Sequence, residues 1–590
     1  MGMRTPADDP RYQPGNGRPR RPYPRSQEPS ELPDSKVKKL HRMLHRSGVP
    51  DAVEELFAPL PGPRGYPIRL VLLGLVCASY EKASTNLDDA FEIISFGTSE
   101  RLRAELSIPT CDIEDQDAVN ALYNRFHRAW SRMIWLLDPA PHQRRSRLPR
   151  ADGRKVAALW NGTTGEPALR RLEELANRLV TAPVRTAFAK GLMRHWRGDT
   201  AIDTTCVPTW ARPHTRKRAA LEASANWHYK GGGDREFGYS ATLAIAAHAD
   251  PDRAGRYPQL IFGMVLHTPE KEMGRHAQYV SAVLAQLTEL RGFTAADRAY
   301  TKLFPRDFHQ PMRALGYMPV LDFSKPQVAP AAEGHHQGAI AKVGRLFCPL
   351  TPRRLLDLYQ EIRSARNERE RIPLREQLQE IEPYTLTRKD TLDERGTERF
   401  SCPATKLNCP WVQERERLGT RRKGGPVPVV IHLDAPRARE AHPAARPSID
   451  VPDIPFDDRP KCCRQSSVTV QAHVMPRMRQ ELPWQTSSWA LAYQTLRAHI
   501  EGGNGRLKSV DAALHAREKR QPRGRIAQSI LAAITVMVEN ISELERFLIA
   551  SKKSARTGLD LEPGENLIPY PAAMAIGASP PALHGASRSP

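Results

Sequence analysis

Asp203 in AIDTTCVPTW, Asp297 in FTAADRAYTK and Glu501 in LAYQTLRAHIEGGNGRLK are the residues of this chain best suited to chemistry. The first two lie within or at the end of short apolar runs that read as strands, and the third lies on a stretch with helical spacing. A carboxylate beside buried strand residues is costly unless it is paired, hydrogen-bonded or bound to a metal. Two strand carboxylates and a helix carboxylate in a strongly basic chain form the donor set that two-metal phosphodiester chemistry requires. Hard oxygen ligands suit Mg²⁺, and Lys and Arg neutralise phosphate.

Taken singly, each aspartate also reads as a turn or helix-cap residue. Asp322 in VLDFS competes with Asp297 for the second position, whereas Asp250 and Asp307 read as turn or helix residues. Around Glu501 the spacing says more. Tyr493, Arg497 and Glu501 are four apart and share a helical face, and Lys508, seven beyond Glu501, returns near it. The plain alternative is a solvated helix with i, i+4 charge pairing. Gly502 and Gly503 follow Glu501 directly. Each costs about 1 kcal/mol relative to Ala inside a helix, so the helix is expected to bend or end there.

The elements that must position these groups change along the chain. Residues 1–35, rich in Pro, Arg, Gly and Asp, read as a disordered basic tail, and 553–590 as a second disordered tail. Residues 36–195 read as mostly helical. From 196 to 325 the runs AIDTTCV, YSATLAIAAHA and LIFGMVLHT read as three strands paired antiparallel. A helix, the strand GFTAADRAY, a further helix and the strand YMPVLDF follow. Residues 326–480, rich in Pro, Arg and Glu, interrupt this pattern, and 481–552 return to two helices. The second of these carries Ile526, Ile530, Ile534, Met537, Val538, Ile541, Leu544 and Phe547 at helical spacing and is expected to pack rather than react.

Bulk properties narrow the partner. The 590 residues suffice for about two to four domains. A net charge of +22 favours a polyanion, nucleic acid above an anionic membrane surface. The runs IRLVLLGLVCASY and IAQSILAAITVMV are too short, and too polar at their edges, to span a bilayer. The opening MGMRTPADDPRYQPGNG has no apolar core of a signal peptide, and eight cysteines in so long a chain do not suggest a disulfide framework. A cytoplasmic, nucleoid-associated protein is expected.

IDTT, then DRAY, then Tyr-x3-Arg-x3-Glu-x6-Lys resembles the DDE transposases of bacterial insertion sequences, with one residue more between Tyr and Arg than their Tyr-Arg-Glu-Lys signature has. NWHYKGGGDREFGYSATLAI also resembles the second-strand region of those enzymes. The likeness covers roughly residues 196–325 and 481–550, split by an insertion of the kind the family carries. It implies an α/β ribonuclease-H-like catalytic core, a mixed sheet flanked by helices, with an N-terminal helical region and an insertion subdomain before the last catalytic helix. It further implies that Asp203, Asp297 and Glu501 hold Mg²⁺, with Mn²⁺ as substitute. Tyr493, Arg497, Lys508 and Arg298 would contact DNA. The partners would be double-stranded DNA, as terminal inverted repeats and target, and a second copy of the chain in a synaptic homodimer. The reaction would be cleavage at transposon ends and joining of the 3′-hydroxyls to target DNA.

Two alternatives share this core: a Mg²⁺-dependent nuclease that cuts without joining, and a non-catalytic DNA-binding remnant. The basic run AREKRQPRGR, residues 516–525, reads either as more phosphate-binding surface or as a solvated loop. The N-terminal helices read either as a DNA-end-binding region or as a packing region, since no helix-turn-helix pattern is evident. Cys402 and Cys409 are seven apart, wider than the Cys-x2-4-Cys of structural zinc sites, so a structural Zn²⁺ in the insertion is the lesser expectation and unmetallated thiols the greater. Cys206 reads as core, and His214, His228 and His248 as incidental.

Overall fold

AIDTTCV, YSATLAIAAHA and LIFGMVLHT do pair antiparallel in a computed structural model of the chain, which describes residues 31–58, 65–139, 147–160, 165–231, 233–389, 397–403, 406–423, 446–471 and 473–551. Apart from residues 31–35, the two tails expected at 1–35 and 553–590 lie outside the described residues. The chain falls into two units, Met1–Gly292 with Leu496–Pro590, and Phe293–Thr495.

In the first unit β1 (Thr200–Pro208) pairs with β3 (Asp234–Ala246) in unbroken register from Thr200↔Ala246 to Pro208↔Gly238. A Cβ on Gly238 would stand 2.3 Å from the Val207 carbonyl oxygen, so glycine is what lets the two strands close at that end. Along its length β3 also pairs with β2 (Asn226–Gly231) and with β4 (Ile261–His267). β2 is a strand that alternation alone did not reveal, because Trp, His, Tyr and Lys there mix polar and aromatic character.

The helices around this sheet explain the most apolar runs. Ile68–Lys82 is buried continuously from Leu70 to Ser79, and Arg525–Ala550 without a break from Arg525 to Ile541. A helix apolar on all sides must be wrapped by others. Arg525–Ala550 packs on Ile68–Lys82, Glu166–Ala189 and β4, so the N-terminal helices share one core with the sheet. The expectation of a packing helix there is met, with Ile526, Ile530, Ile534, Met537, Ile541 and Leu544 all buried.

β4 would expose a row of unpaired backbone groups, which edge strands must cover. Two asparagines cover it. Asn177, on Glu166–Ala189, accepts from the Met264 N–H at 2.9 Å and donates to the Met264 carbonyl at 2.8 Å. Asn540, on Arg525–Ala550, does the same for Ile261, at 2.8 Å each way, and also donates to the Val180 carbonyl at 3.1 Å. The register passes from Ala244↔Gly263 to Ile245↔Ile261 and skips Phe262, a bulge that turns two residues three apart toward the same edge.

One turn before Asn177, Glu173 is fully buried, and burial pushes its carboxyl up to about 7 against the pull of Arg275 and Arg525. The folded chain therefore holds this proton where the unfolded chain has released it. Stability from this group is complete below the unfolded value and is lost as pH rises through about 7. Urea midpoints are expected to fall between pH 5 and pH 8 by the equivalent of about 3 kcal/mol, and Glu173→Gln to flatten that fall.

The second unit opens with β5 (Phe293–Ala296), parallel to β6 (Met318–Leu321) in the register Phe293↔Met318 to Ala296↔Leu321. The crossover between them contains the helix His309–Ala314, as a parallel connection requires. Gln480 covers β6 as the asparagines cover β4, accepting from the Leu321 N–H at 2.8 Å. Two small antiparallel sheets follow, β7 (Gly334–His336), β8 (Ala339–Lys342) and β9 (Arg345–Phe347), then β10 (Thr387–Arg388), β11 (Glu398–Ser401) and β12 (Ser467–Val470). Cys409, Cys462 and Cys463 are buried in one apolar core with Trp411, Val468 and Val470, and Cys402 packs against it; all are free thiols. The chain is thus mixed α/β, with antiparallel and parallel strand pairing flanked by helices. Among the described residues no helix is long and apolar enough to cross a membrane.

Candidate active site

Asp203 lies at the middle of β1, half-buried between the buried runs Thr200–Ile202 and Thr205–Pro208. It stands opposite Leu243 on β3, and directly paired residues project from the same face. Ile245, two further along β3, shares that face. Against it lies the helix Ser487–Leu507, because a Cβ on Gly503 would come within 2.5 Å of Ile245 Cδ1. The helix therefore neither bends away nor ends at the two glycines, contrary to expectation: it continues to Leu507, and Gly503 is the point of closest approach to the sheet. Gly502 and Gly505 face open space. Gly502→Ala is accordingly expected to stabilise the fold by up to about 1 kcal/mol. Gly503→Val is expected to destabilise it by about 1–3 kcal/mol through overpacking. Paired thermal melts check both.

The side chain that the helix turns toward Asp203 is Asn504. Asn504 Nδ2 donates to Asp203 Oδ2 at 2.5 Å. Asn504 is buried, at 9% exposure, and its Oδ1 has no hydrogen-bond partner. Glu501, one turn earlier, is exposed, with 69% of its side-chain surface open, and pairs with Arg497 at 3.4 Å. Lys508 follows the last helical residue; its amide donates to the Asn504 and Gly505 carbonyls, and its side chain is exposed.

On the opposite face of the sheet a hydrogen-bonded series runs inward from Thr204. Thr204 and Thr242 hydroxyls lie 3.0 Å apart, Thr242 meets His267 Nε2 at 2.9 Å, and the His267 ring stacks on His276 at 4.2 Å. Burial pushes His267 down to about 3 and His276 well below its usual range, so both rings are neutral.

A second histidine pair steadies the helix itself. His499 Nε2 and His248 Nε2 are 3.1 Å apart, and His248 Nδ1 meets the Tyr257 hydroxyl at 2.9 Å. Both rings are buried, which lowers both, His499 to about 4. His248 is therefore a structural anchor rather than incidental; its partner lies 251 residues away, a relation no local spacing reveals. His214 and His228 are also engaged, with the Ala225 carbonyl and the Ser240 hydroxyl, both at 2.8 Å.

In the second unit Asp297 follows β5 directly, half-buried and extended (φ −66°, ψ 159°), at the start of the short helix Arg298–Thr301. The end of a parallel strand is where α/β proteins gather functional groups. Asp322, the competing carboxylate, is held instead: Trp484 Nε1 donates to it at 3.1 Å, and Arg363 and Arg298 approach to 3.4 and 3.8 Å. Burial, opposed by these partners, pushes Asp322 upward. Arg298, expected at DNA, thus has its guanidinium beside Asp322 while keeping half its surface open. Tyr493 stacks face to face on Trp489 at 4.9 Å, the outer end of an aromatic series with Trp484 and Phe323.

The basic run 516–525 is neither uniform surface nor a solvated loop. Arg520 is buried and donates to Gln528, the Leu514 carbonyl and the Pro208 carbonyl at the end of β1. Arg525 is buried beside Glu173. Arg517, Lys519 and Arg523 are exposed.

Among the described residues no group of three or more His, Cys, Asp and Glu side chains is arranged to hold a metal. The first-unit donors nonetheless suit a hard divalent cation, since the Asp203 carboxylate meets an amide whose own oxygen is buried and lacks a partner. No protein-family model, curated protein or solved structure matches the chain.

Proposed function

We propose that the protein is a DNA transposase that cleaves phosphodiester bonds at the ends of its own element and joins the 3′-hydroxyls to target DNA. The observation that carries this reading is Asp203: a half-buried mid-strand carboxylate of β1, met by the helix that carries Arg497, Glu501 and Asn504. Asp297 at the end of β5 and the order Asp203, Asp297, Glu501 agree with the DDE resemblance. So does a net charge of +22, which suits a polyphosphate substrate.

Bound Mg²⁺ would polarise the scissile phosphate and lower the barrier to in-line attack by water or a 3′-hydroxyl. The chain's own residues do the rest. Asp203 supplies fixed negative charge where the helix meets the sheet. Arg497, 36% exposed, and Lys508, at the helix end, meet phosphate oxygens, and Tyr493 offers a preset ring to a base or sugar. Asp322, gripped by Trp484 and Arg363, shapes the second unit rather than reacting.

The test is purified full-length Asp297→Asn incubated with Mg²⁺ and DNA bearing the segments that flank the gene. Loss of cleavage by more than about 100-fold, with unchanged DNA binding, is expected, since a metal ligand should cost more than an outer-shell partner does. Cleavage at the wild-type rate would sink the assignment.

A further inference from the structure

We infer that Asn504, and not Glu501, is the helix residue that completes a divalent-cation site with Asp203. This rests on the reading of Asp203 as a metal-holding carboxylate. The geometry behind it is local to the first unit. Asn504 is nine-tenths buried, its amide lies 2.5 Å from Asp203 Oδ2, and its Oδ1 is buried with no partner. A buried amide oxygen left unpaired costs about 1–3 kcal/mol, which weakens the hold of this rotamer on the amide. Glu501 has none of these features: it is 69% exposed and turned to Arg497.

The two ends of an amide have the same shape. Without a cation the NH₂ faces the carboxylate as a donor. With one bound, a half-turn about χ2 brings Oδ1 beside Asp203 Oδ2, so that two oxygens face the same ion. An Asp–Asn pair is a sufficient protein contribution to a Mg²⁺ shell, with water and substrate phosphate filling the remainder, as protein kinases illustrate. One of the two helix glycines now has a function. Gly503 seats the helix against Ile245, which sets Asn504 at the depth of Asp203. Glu501 and Arg497 then form a pair on the solvent side of the same helix, where a DNA phosphate competing for Arg497 would release the carboxylate.

The experiment is Mn²⁺ titration of the full chain followed by the electron paramagnetic resonance of free Mn²⁺, for wild type, Asp203→Asn, Asn504→Leu, Asn504→Asp and Glu501→Gln. Expected are a wild-type site abolished by Asp203→Asn, weakened at least tenfold by Asn504→Leu, retained or tightened by Asn504→Asp, and changed less than twofold by Glu501→Gln. Asn504→Asp guards against a misfolded leucine variant. It sets two carboxylates side by side, so its melting temperature should rise with Mn²⁺ more than that of wild type. Wild-type affinity in Asn504→Leu, or a loss in Glu501→Gln equal to that in Asp203→Asn, would overturn the inference and leave the transposase reading standing. A wild-type chain with no Asp203-dependent Mn²⁺ site would overturn both.

Discussion

Asp203→Asn is expected to reduce Mg²⁺-dependent DNA cleavage by more than about 100-fold, because outer-shell partners of a metal cost 10–100-fold and a direct ligand costs more. The substitution keeps the shape of the side chain. An asparagine oxygen can still accept from Asn504, so the contact between β1 and the Ser487–Leu507 helix survives and the melting temperature should move little. Only the charge is lost. The informative control is Asp322→Asn. Asp322 holds Trp484 and Arg363 together, so its substitution should lower stability, with cleavage falling only as far as folded protein is lost. Cleavage rates per folded molecule, taken with thermal melts, separate the two aspartates.

Asn540→Leu should be among the most destabilising single changes available outside the site. Three backbone groups depend on this amide: the Ile261 N–H, the Ile261 carbonyl and the Val180 carbonyl. Leucine keeps the branched outline, is bulkier, and offers none of the bonds. Each buried group left unpaired costs about 1–3 kcal/mol, so a loss of roughly 3–9 kcal/mol is expected, read as a drop in the urea midpoint. Asn540→Ala should be at least as damaging, since it adds a cavity. Because β4 joins the helices to β3, backbone amides of β3 and β4 should lose hydrogen-exchange protection first.

These two residues mark what sequence could and could not convey. Periodicity carried the elements well: the apolar spacing from Ile526 to Leu544 specified a buried helix, and alternation around Asp203 specified its strand. Local order also sufficed for the antiparallel pairing of β1, β3 and β4. Asn540 and Asn177 gave no signal, because an asparagine in an apolar helix looks like an interruption until the bulged strand beside it is seen. Asn504 was hidden for another reason. Glu501 is a carboxylate and matches a known spacing, whereas the rotation that turns Asn504 to Asp203 depends on Gly503 meeting Ile245, residues distant in sequence. The same glycines looked like a helix end because propensity argues against them, and tertiary contact overrides propensity. Charge counting, finally, could not distinguish Arg520, consumed by Pro208, Leu514 and Gln528, from its exposed neighbours Arg517 and Lys519.

The most direct measurement of the central claim is a strand-cleavage and joining assay. Full-length protein is incubated in Mg²⁺ with labelled DNA carrying the gene's flanking segments and with an unlabelled target duplex. The account predicts nicks that expose 3′-hydroxyls at fixed positions, followed by covalent transfer of the label to the target, with both products absent for Asp203→Asn and Asp297→Asn. Nicks without transfer would point to the nuclease alternative. No cleavage in Mg²⁺ or Mn²⁺, or cleavage undiminished in both variants, would contradict the account.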